Sequence, residues 1–218
     1  KGVFFRLQDL PEAARVPGAA RDALLLRVIG SPDPYGKQID GMGGATSSTS
    51  KTVILSKSTR ADHDVDYLFG QVSIDKPFVD WSGNCGNLSA AVGPFAISNG
   101  LVDADRVPKD GVAIVRIWQV NIGKTIVAHV PITNGAVQET GDFELDGVTF
   151  PAAEVQLEFI DPADEGDGDG GGDVGWQGIG AGGADAGAGA AEGFEDGEVR
   201  GAVAVVGDPQ QRQATSDR

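Results

Sequence analysis

The apolar pattern of this 218-residue chain changes near residue 161, and the change limits where a folded core can lie. Before that point, short apolar runs alternate with turn signals, as in a globular α+β domain. After Gly166 the apolar periodicity is lost, and glycine supplies 16 of the last 58 residues. Such a segment cannot bury enough surface to offset its ordering entropy. We therefore predict a folded unit at residues 1–164 and a disordered Gly/Ala/Asp-rich tail at residues 165–218.

The segment from residue 161 to the end of the sequence also carries most of the charge, −10 of the formal net −15. This acidity argues against nucleic acid as a partner, because a phosphate-binding surface needs clustered Lys and Arg. Residues 165–170 approach a calcium-loop spacing, but Trp176 stands where such a loop needs a bidentate Glu, so plain acidic low complexity is favoured. The apolar run at residues 202–206 predicts one isolated strand.

Cysteine usage and hydropathy give an expectation for the compartment. The single cysteine, Cys85, cannot form an internal disulfide, so nothing in the sequence indicates an oxidising environment. No apolar stretch reaches the length of a membrane span. We therefore expect a cytoplasmic protein with no membrane partner.

The periodicity predicts more strands than helices. A β-branched pair of runs separated by N-I-G-K predicts a hairpin, and D-G between apolar pairs predicts a second, tighter one. The predicted helices are Ala19–Ile29 and the segment after Asn87. The predicted strands are residues 52–55, 71–74, 78–81, 112–120, 125–132, 143–145, 148–150 and 155–159.

Three loops rich in Gly, Ser and Asn, at residues 30–44, 45–52 and 82–87, allow backbone N–H groups to approach a ligand closely. The second loop ends S-K-T but lacks both glycines of a phosphate-binding P-loop, so nucleotide hydrolysis is not indicated. Lys51 then has two interpretations. It is either a solvated lysine at the start of a strand or an amine at the mouth of a site, where it can act as a base.

Cys85 also has two interpretations. A free cysteine is most often a small buried hydrophobe. However, the neighbours of Cys85 are Asn84 and Gly86 rather than apolar residues, and the following L-S-A-A-V predicts a helix. The N-terminus of that helix would favour a thiolate or a bound carboxylate, which makes Cys85 a candidate reactive group. His63 and His129 lack metal-ligand spacing and are interpreted as structural.

Taken together, the loops resemble one family. The motifs are G-S-P-D-P-Y-G-K-Q-I-D-G-M-G-G, S-S-T-S-K, D-x-D-V-D-Y-x-F-x-Q-V and N-C-G-N followed by P-F-A-I. They resemble the N-terminal lobe of the 2-methylaconitate cis-trans isomerase (PrpF) family, over about the first three quarters of the chain. The resemblance implies a diaminopimelate-epimerase-like lobe, with a mixed, mostly antiparallel sheet wrapped around a central helix.

The resemblance also implies a site and a reaction. Lys51 and Cys85 match the residues that flank the substrate in the family, with Lys51 favoured as the principal base. Ser48, Ser50, Asn84, Gly86 and Asn87 match positions that hold substrate carboxylates. The implied reaction is a proton transfer on an unsaturated tricarboxylic acid, with no metal or organic cofactor. A 4-oxalomesaconate keto-enol tautomerase of the same fold and a non-catalytic, vestigial domain are the alternatives.

The chain also departs from the family pattern, because low complexity replaces the second lobe. We expect little or no isomerase activity from such a chain, since half of a water-excluding cleft is missing. A frameshift would leave recognisable lobe-two residues encoded in another frame after about codon 165. Exposed lobe-interface surface predicts self-association.

Overall fold

A computed structural model describes residues 1–160 and 198–202 of the chain. The described residues form nine strands, three α-helices and three single-turn 3-10 helices. The α-helices are α1 (Glu12–Arg15), α2 (Ala19–Ile29) and α3 (Gly86–Ser98), and the 3-10 helices are Leu7–Asp9, Ser47–Thr49 and Ala104–Arg106. The strands are β1 (Gly2–Arg6), β2 (Lys51–Lys57), β3 (Val65–Val72), β4 (Val79–Asp80), β5 (Gly111–Gln119), β6 (Lys124–Thr133), β7 (Ala136–Val137), β8 (Glu154–Ile160) and β9 (Glu198–Ala202).

The strands form one sheet in the order β1, β2, β3, β5, β6, β8, β9, with β4 paired to β3 and β7 paired to β6. β1 is parallel to β2, and β3 is parallel to β5. The other pairs are antiparallel. The predicted α+β class with a mixed, mostly antiparallel sheet is confirmed.

Helix α3 packs against the sheet and forms the centre of the main core. Val92 of this helix is fully buried in one cluster with Val53 and Val115 of the sheet. Gly93 makes the close approach possible, since an added Cβ would meet the Val130 side chain at 2.7 Å. The sheet therefore wraps around α3, as the family resemblance implied.

Helices α1 and α2 cover a different part of the sheet. Leu25 of α2 packs with Ile54, whereas the neighbouring Val53 and Leu55 belong to the α3 cluster, as the period-2 alternation of a strand requires. Helix α2 ends at Gly30, which adopts a left-handed conformation (φ 88°) and donates its N–H to Leu26 O at 2.9 Å. The predicted helix Ala19–Ile29 is confirmed at both ends, and Gly30 stops it at its C-terminus.

Two strand predictions need correction. The strand placed at residues 71–74 is instead Val65–Val72, because the inward positions Val65, Tyr67 and Phe69 are also buried, while Asp66 lies on the less buried side. The tight hairpin predicted at 143–150 does not form. Phe143 pairs with Ala152 in an isolated bridge, and Val148 and Phe150 are 47% and 78% exposed. Val148 and Phe150 alternate with polar residues as in a strand, but no other part of the described residues packs against them.

The remaining strand predictions agree with the structure. The hairpin of β5 and β6 is confirmed, and β8 shows the expected alternation of burial. The strand predicted at 202–206 meets the structure only at Ala202, the last residue of β9, which pairs with β8 rather than standing alone. The calcium-like run, the rest of the predicted tail and its boundary at residue 164 lie outside the described residues. The division into two segments therefore stays a prediction.

Candidate active site

The candidate site forms where the start of β2 meets the start of α3. Lys51 is the first residue of β2, and Cys85 immediately precedes α3. Gly2 of β1 pairs with Lys51, and a Cβ on Gly2 would meet Leu88 Cδ1 at 2.8 Å. Because Gly2 has no side chain, the first turn of α3 packs closely against this end of the sheet. Lys51 Nζ consequently donates a hydrogen bond to Cys85 Sγ at 3.2 Å.

The surroundings of this amine–thiol pair are partly apolar. Cys85 is only 7% exposed and belongs to the main core cluster, whereas Lys51 is half-buried. Lys51 Nζ also lies 6.0 Å from the centroid of the Phe69 ring. The donors at the N-terminus of α3, beside the Lys51 amine, suit a bound carboxylate at this position.

The three predicted binding residues around Cys85 lie beside the pair. Asn84 Oδ1 accepts the Cys85 N–H at 2.7 Å, while Asn84 Nδ2 is buried without a protein hydrogen-bond partner among the described residues. Gly86 and Asn87 are the first two residues of α3, and their N–H groups precede the first intrahelical bond, from the Ser89 N–H to Cys85 O. Such unpaired amide donors at a helix N-terminus suit a carboxylate.

Ser50 is next to Lys51 in the chain, but its hydroxyl is fully buried. Its Oγ lies 2.8 Å from Gln38 Oε1 and 2.7 Å from Thr46 O. Gln38 is itself buried and also accepts the Ala45 N–H at 2.8 Å. These contacts fasten the loop at residues 30–44 to the start of β2. Substrate binding by Ser50 stays a prediction. In this structure the Ser50 hydroxyl hydrogen-bonds within the protein and stabilises the loop against β2.

Ser48 lies in the single-turn helix that precedes Ser50. Its Oγ is 2.9 Å from Thr46 Oγ1, and Thr46 and Thr49 form a reciprocal capping box around this turn. Ser48 is half-buried. Its hydroxyl therefore belongs to a hydroxyl cluster of this turn, and its predicted role with substrate stays a prediction.

Two residues near the pair were missed from the sequence. Tyr67 of β3 and Ser89 of α3 both direct their hydroxyls to the backbone carbonyl of Cys85, at 3.3 and 2.9 Å. Both side chains are completely buried. The available signal was a polar residue inside an apolar pattern, namely a serine in L-S-A-A-V and a tyrosine at an inward position of V-D-Y-L-F.

The two histidines lie in side-chain contacts away from the pair. His63 Nδ1 is 2.9 Å from Asp62 Oδ1, and His63 Nε2 is 2.9 Å from Thr125 Oγ1. His129 pairs with Glu158 across two strands. Within residues 1–160, no three His, Cys, Asp or Glu side chains are grouped so as to hold a metal ion. Nor does any helix of the described part combine the length and hydropathy needed to cross a membrane.

The fold and the site together define a class of protein. It is an α+β protein whose mixed sheet wraps one helix and whose amine–thiol pair is placed at the N-terminus of that helix. Comparisons with known proteins then give the family. A model of the PrpF family, described as PrpF protein, matches residues 1–171. The chain belongs to this family.

The similar proteins are isomerases and a tautomerase. The chain is 86% identical over 171 residues to the 2-methyl-aconitate isomerase of Cupriavidus necator, a match that covers 78% of this chain and 43% of that protein. It is 48% identical over 163 residues to the 4-oxalomesaconate tautomerase of Pseudomonas putida, covering 75% of this chain and 42% of that protein.

A solved structure supports the fold. The crystal structure of methylitaconate-delta-isomerase matches with a TM-score of 0.63 and 41% sequence identity, covering 72% of this chain and 38% of that chain. The 218-residue chain thus spans less than half the length of the relatives that it matches.

Proposed function

We propose that the amine–thiol pair transfers a proton on an unsaturated tricarboxylic acid of the 2-methylaconitate or aconitate type, and so isomerises its double bond. The 3.2 Å contact between Lys51 Nζ and Cys85 Sγ carries the proposal. Two groups that can each hold or release a proton, at the edge of a partly apolar site, are what such a reaction requires. Membership of the PrpF family supports the same reaction class.

In the proposed mechanism, Lys51 in its neutral form removes the acidic proton beside a carboxyl-bearing double bond. The electron pair left behind delocalises into the adjacent unsaturated carboxylate, and reprotonation after rearrangement gives the isomer. Lys51 lies on the half-exposed side of the pair, where a substrate carbon can reach it, so we assign it as the principal base. Cys85 acts either as the second acid or as an electrostatic neighbour.

The substrate carboxylates need hydrogen-bond donors, and the start of α3 offers them. We propose that the Asn84 amide and the N–H groups of Gly86 and Asn87 take one carboxylate. The buried Asn84 Nδ2 supports this assignment, because a buried donor without a partner costs about 1–3 kcal/mol and a carboxylate oxygen would satisfy it. Ser48 and Ser50 are proposed to contribute through the neighbouring turn.

A 4-oxalomesaconate keto-enol tautomerase is the second candidate within the family. The 86% identity to a 2-methyl-aconitate isomerase, against 48% to a 4-oxalomesaconate tautomerase, favours the first substrate class. Parallel assays with both substrates distinguish the two candidates.

Proton exchange is the most sensitive test. The purified chain is incubated in D2O with 2-methylaconitate, with aconitate and with 4-oxalomesaconate, and proton NMR follows both deuterium incorporation and isomer formation. We expect exchange with the first two substrates and its loss in Lys51→Met. Lys124→Met, at the start of β6, is the matched control and should exchange like the parent chain. Exchange that survives in Lys51→Met would refute the assigned base.

Net turnover is expected to be weak or absent, because Lys51 is half-exposed and the described residues do not exclude water from it. Fast isomerisation by the 218-residue chain would overturn this expectation while supporting the chemistry. A chain that neither exchanges protons nor binds tricarboxylates would instead support the vestigial, non-catalytic alternative.

Self-association is a further part of the proposal. The loop at residues 30–44 presents Tyr35, Ile39 and Met42 to solvent, with exposed fractions of 84%, 84% and 63%. Large exposed apolar side chains within one loop favour association. Sedimentation at increasing concentration should show a growing species, and Ile39→Asp should reduce it. A compact monomer at every concentration would contradict the proposal.

We expect the protein to be cytoplasmic.

A further inference from the structure

The backbone carbonyl of Cys85 accepts three hydrogen bonds. One is the first intrahelical bond of α3, from the Ser89 N–H at 3.2 Å. The other two come from side-chain hydroxyls, Ser89 Oγ at 2.9 Å and Tyr67 OH at 3.3 Å. A helix N-cap carbonyl needs only the first of these bonds. The two hydroxyls therefore restrain this peptide group beyond what the helix requires.

Both hydroxyls are placed where water cannot substitute for them. The Tyr67 and Ser89 side chains are each 0% exposed. Burial, and secondarily charge on the nearby Cys85, raises the pKa of Tyr67 well above its usual value. Tyr67 therefore keeps its proton and donates. A buried hydroxyl without a partner is costly, so loss of the carbonyl bond would not be tolerated freely.

Tyr67 also connects the two elements that carry the pair. It lies on β3, which is hydrogen-bonded to β2, the strand that begins at Lys51. Its hydroxyl reaches the residue that caps α3. The Cys85 carbonyl is thereby tied to the sheet, while the Cys85 N–H makes a local bond to Asn84 Oδ1 at 2.7 Å. The direction of the Cβ–Sγ bond is then limited to a few rotamers, one of which meets Lys51 Nζ.

We propose that Tyr67 and Ser89 are positioning residues, which hold the Cys85 thiol against the Lys51 amine through the Cys85 carbonyl. Both hydroxyls bond to the Cys85 carbonyl oxygen rather than to the sulfur, so their effect is exerted through the backbone. The inference rests on the proposed function, because it assigns their task to the same amine–thiol pair.

The reactivity of the single thiol tests this proposal without any substrate. The second-order rate of alkylation by iodoacetamide is measured at pH 7 on the parent chain, Tyr67→Phe and Ser89→Ala. Displacing the thiol from the ammonium should slow alkylation, roughly fivefold, as expected for coupled neighbours. Tyr35→Phe, at the 84% exposed tyrosine, and Ser98→Ala, at the exposed end of α3, are the matched controls and should react like the parent.

The same changes made in a Lys51→Met background separate positioning from general loss of stability. If Tyr67 acts by placing the thiol against Lys51, Tyr67→Phe should have no effect on the rate once the amine is gone. A variant that merely loosened the fold would expose the buried thiol and raise the rate equally in both backgrounds. That second result would overturn the proposal, as would a rate unchanged from the parent. Thermal unfolding followed by circular dichroism identifies any variant that fails to fold, and Ser89→Ala, which removes one atom, then carries the test.

Failure of the proposed function looks different from failure of this inference. Absence of proton exchange in D2O, together with a thiol rate that depends on Tyr67 only when Lys51 is present, would reject the isomerase and keep the positioning network. Proton exchange in D2O, together with an alkylation rate that is the same in the parent chain and in Tyr67→Phe, would support the isomerase and reject the positioning network.

Discussion

Lys51 Nζ and Cys85 Sγ lie 3.2 Å apart, although 34 positions separate the two residues in the chain. A strand supplies the amine and a helix N-terminus supplies the thiol. The contact therefore depends on how closely that helix packs against the sheet.

Ligand protection is the first prediction. A tricarboxylate that binds at the start of α3 covers Cys85, so aconitate should slow alkylation of the thiol by iodoacetamide. The effect should saturate with ligand concentration, and Asn84→Ala should weaken it. Acetate at matched ionic strength is the control. A rate that is independent of aconitate would argue that the start of α3 is not a carboxylate site.

The second prediction concerns Ser50, whose two roles have different signatures. Its hydroxyl is buried between Gln38 and Thr46, so Ser50→Ala should lower the free energy of unfolding by about 1–3 kcal/mol. Urea denaturation measures this change, with Ser48→Ala as the less buried control. A Ser50→Ala chain of unchanged stability that has lost protection by aconitate would mean that Ser50 binds substrate instead.

The third prediction concerns Gly93, where α3 touches β6. Gly93→Ala inserts a methyl group 2.7 Å from the Val130 side chain. Overpacking of this kind costs about 1–3 kcal/mol, while the better helix propensity of alanine returns at most about 1 kcal/mol. We expect a net loss of stability in urea denaturation. At Gly83 the nearest atom to an added Cβ is 4.0 Å away, so Gly83→Ala should change stability by less than about 0.5 kcal/mol. Equal effects at the two positions would refute the close packing.

The fourth prediction is a pH dependence. Backbone N–H groups of Tyr35, Lys37 and Gln38 donate to the Asp33 carboxylate and lower its pKa. A carboxylate whose pKa is lower in the folded state stabilises the fold above its unfolded pKa of about 3.9, and the stabilisation is lost as the pH falls through the folded value.

Asp33→Asn should therefore be less stable than the parent chain at pH 7, and the gap should narrow below about pH 4 as the parent loses this contribution. Thermal unfolding at a series of pH values measures the gap. Asp40→Asn, at an exposed position of the same loop, is the control. A gap that persists unchanged at the lowest pH would assign the effect to the amide geometry rather than to the charge.

The sequence predicted the parts of the fold that local signals determine. Helix α2 was predicted to the residue, and in the structure Gly30 terminates it. The β5–β6 hairpin was predicted from its β-branched runs and the intervening turn. The failure at 143–150 has the opposite cause. The alternation around Val148 is a local signal, but a strand also needs a surface to cover it, and that depends on the rest of the fold.

The site divides in the same way. Lys51 and Cys85 were found because their loops carry unusual residues. A helix was predicted after Asn87, and α3 begins at Gly86. Ser50 shows what was beyond reach, since the burial of its hydroxyl depends on Gln38, a residue in a different loop. For Tyr67 and Ser89 the sequence offered only the signal of a polar residue inside an apolar pattern. Their hydrogen bonds to the Cys85 carbonyl could not be predicted, because every residue has a backbone carbonyl.

Gly2 pairs with Lys51 and faces Leu88 in the first turn of α3. Because it has no side chain, the helix can pack directly against the backbone of the sheet at this position. A side chain there would push the helix outward and carry the thiol with it. The distance between the amine and the thiol thus depends on the absence of a Cβ atom at Gly2. The residues around positions 2, 51 and 85 are remote in sequence but share this contact. A substitution in one of these segments therefore needs a compensating substitution in another if the amine and the thiol are to stay in contact.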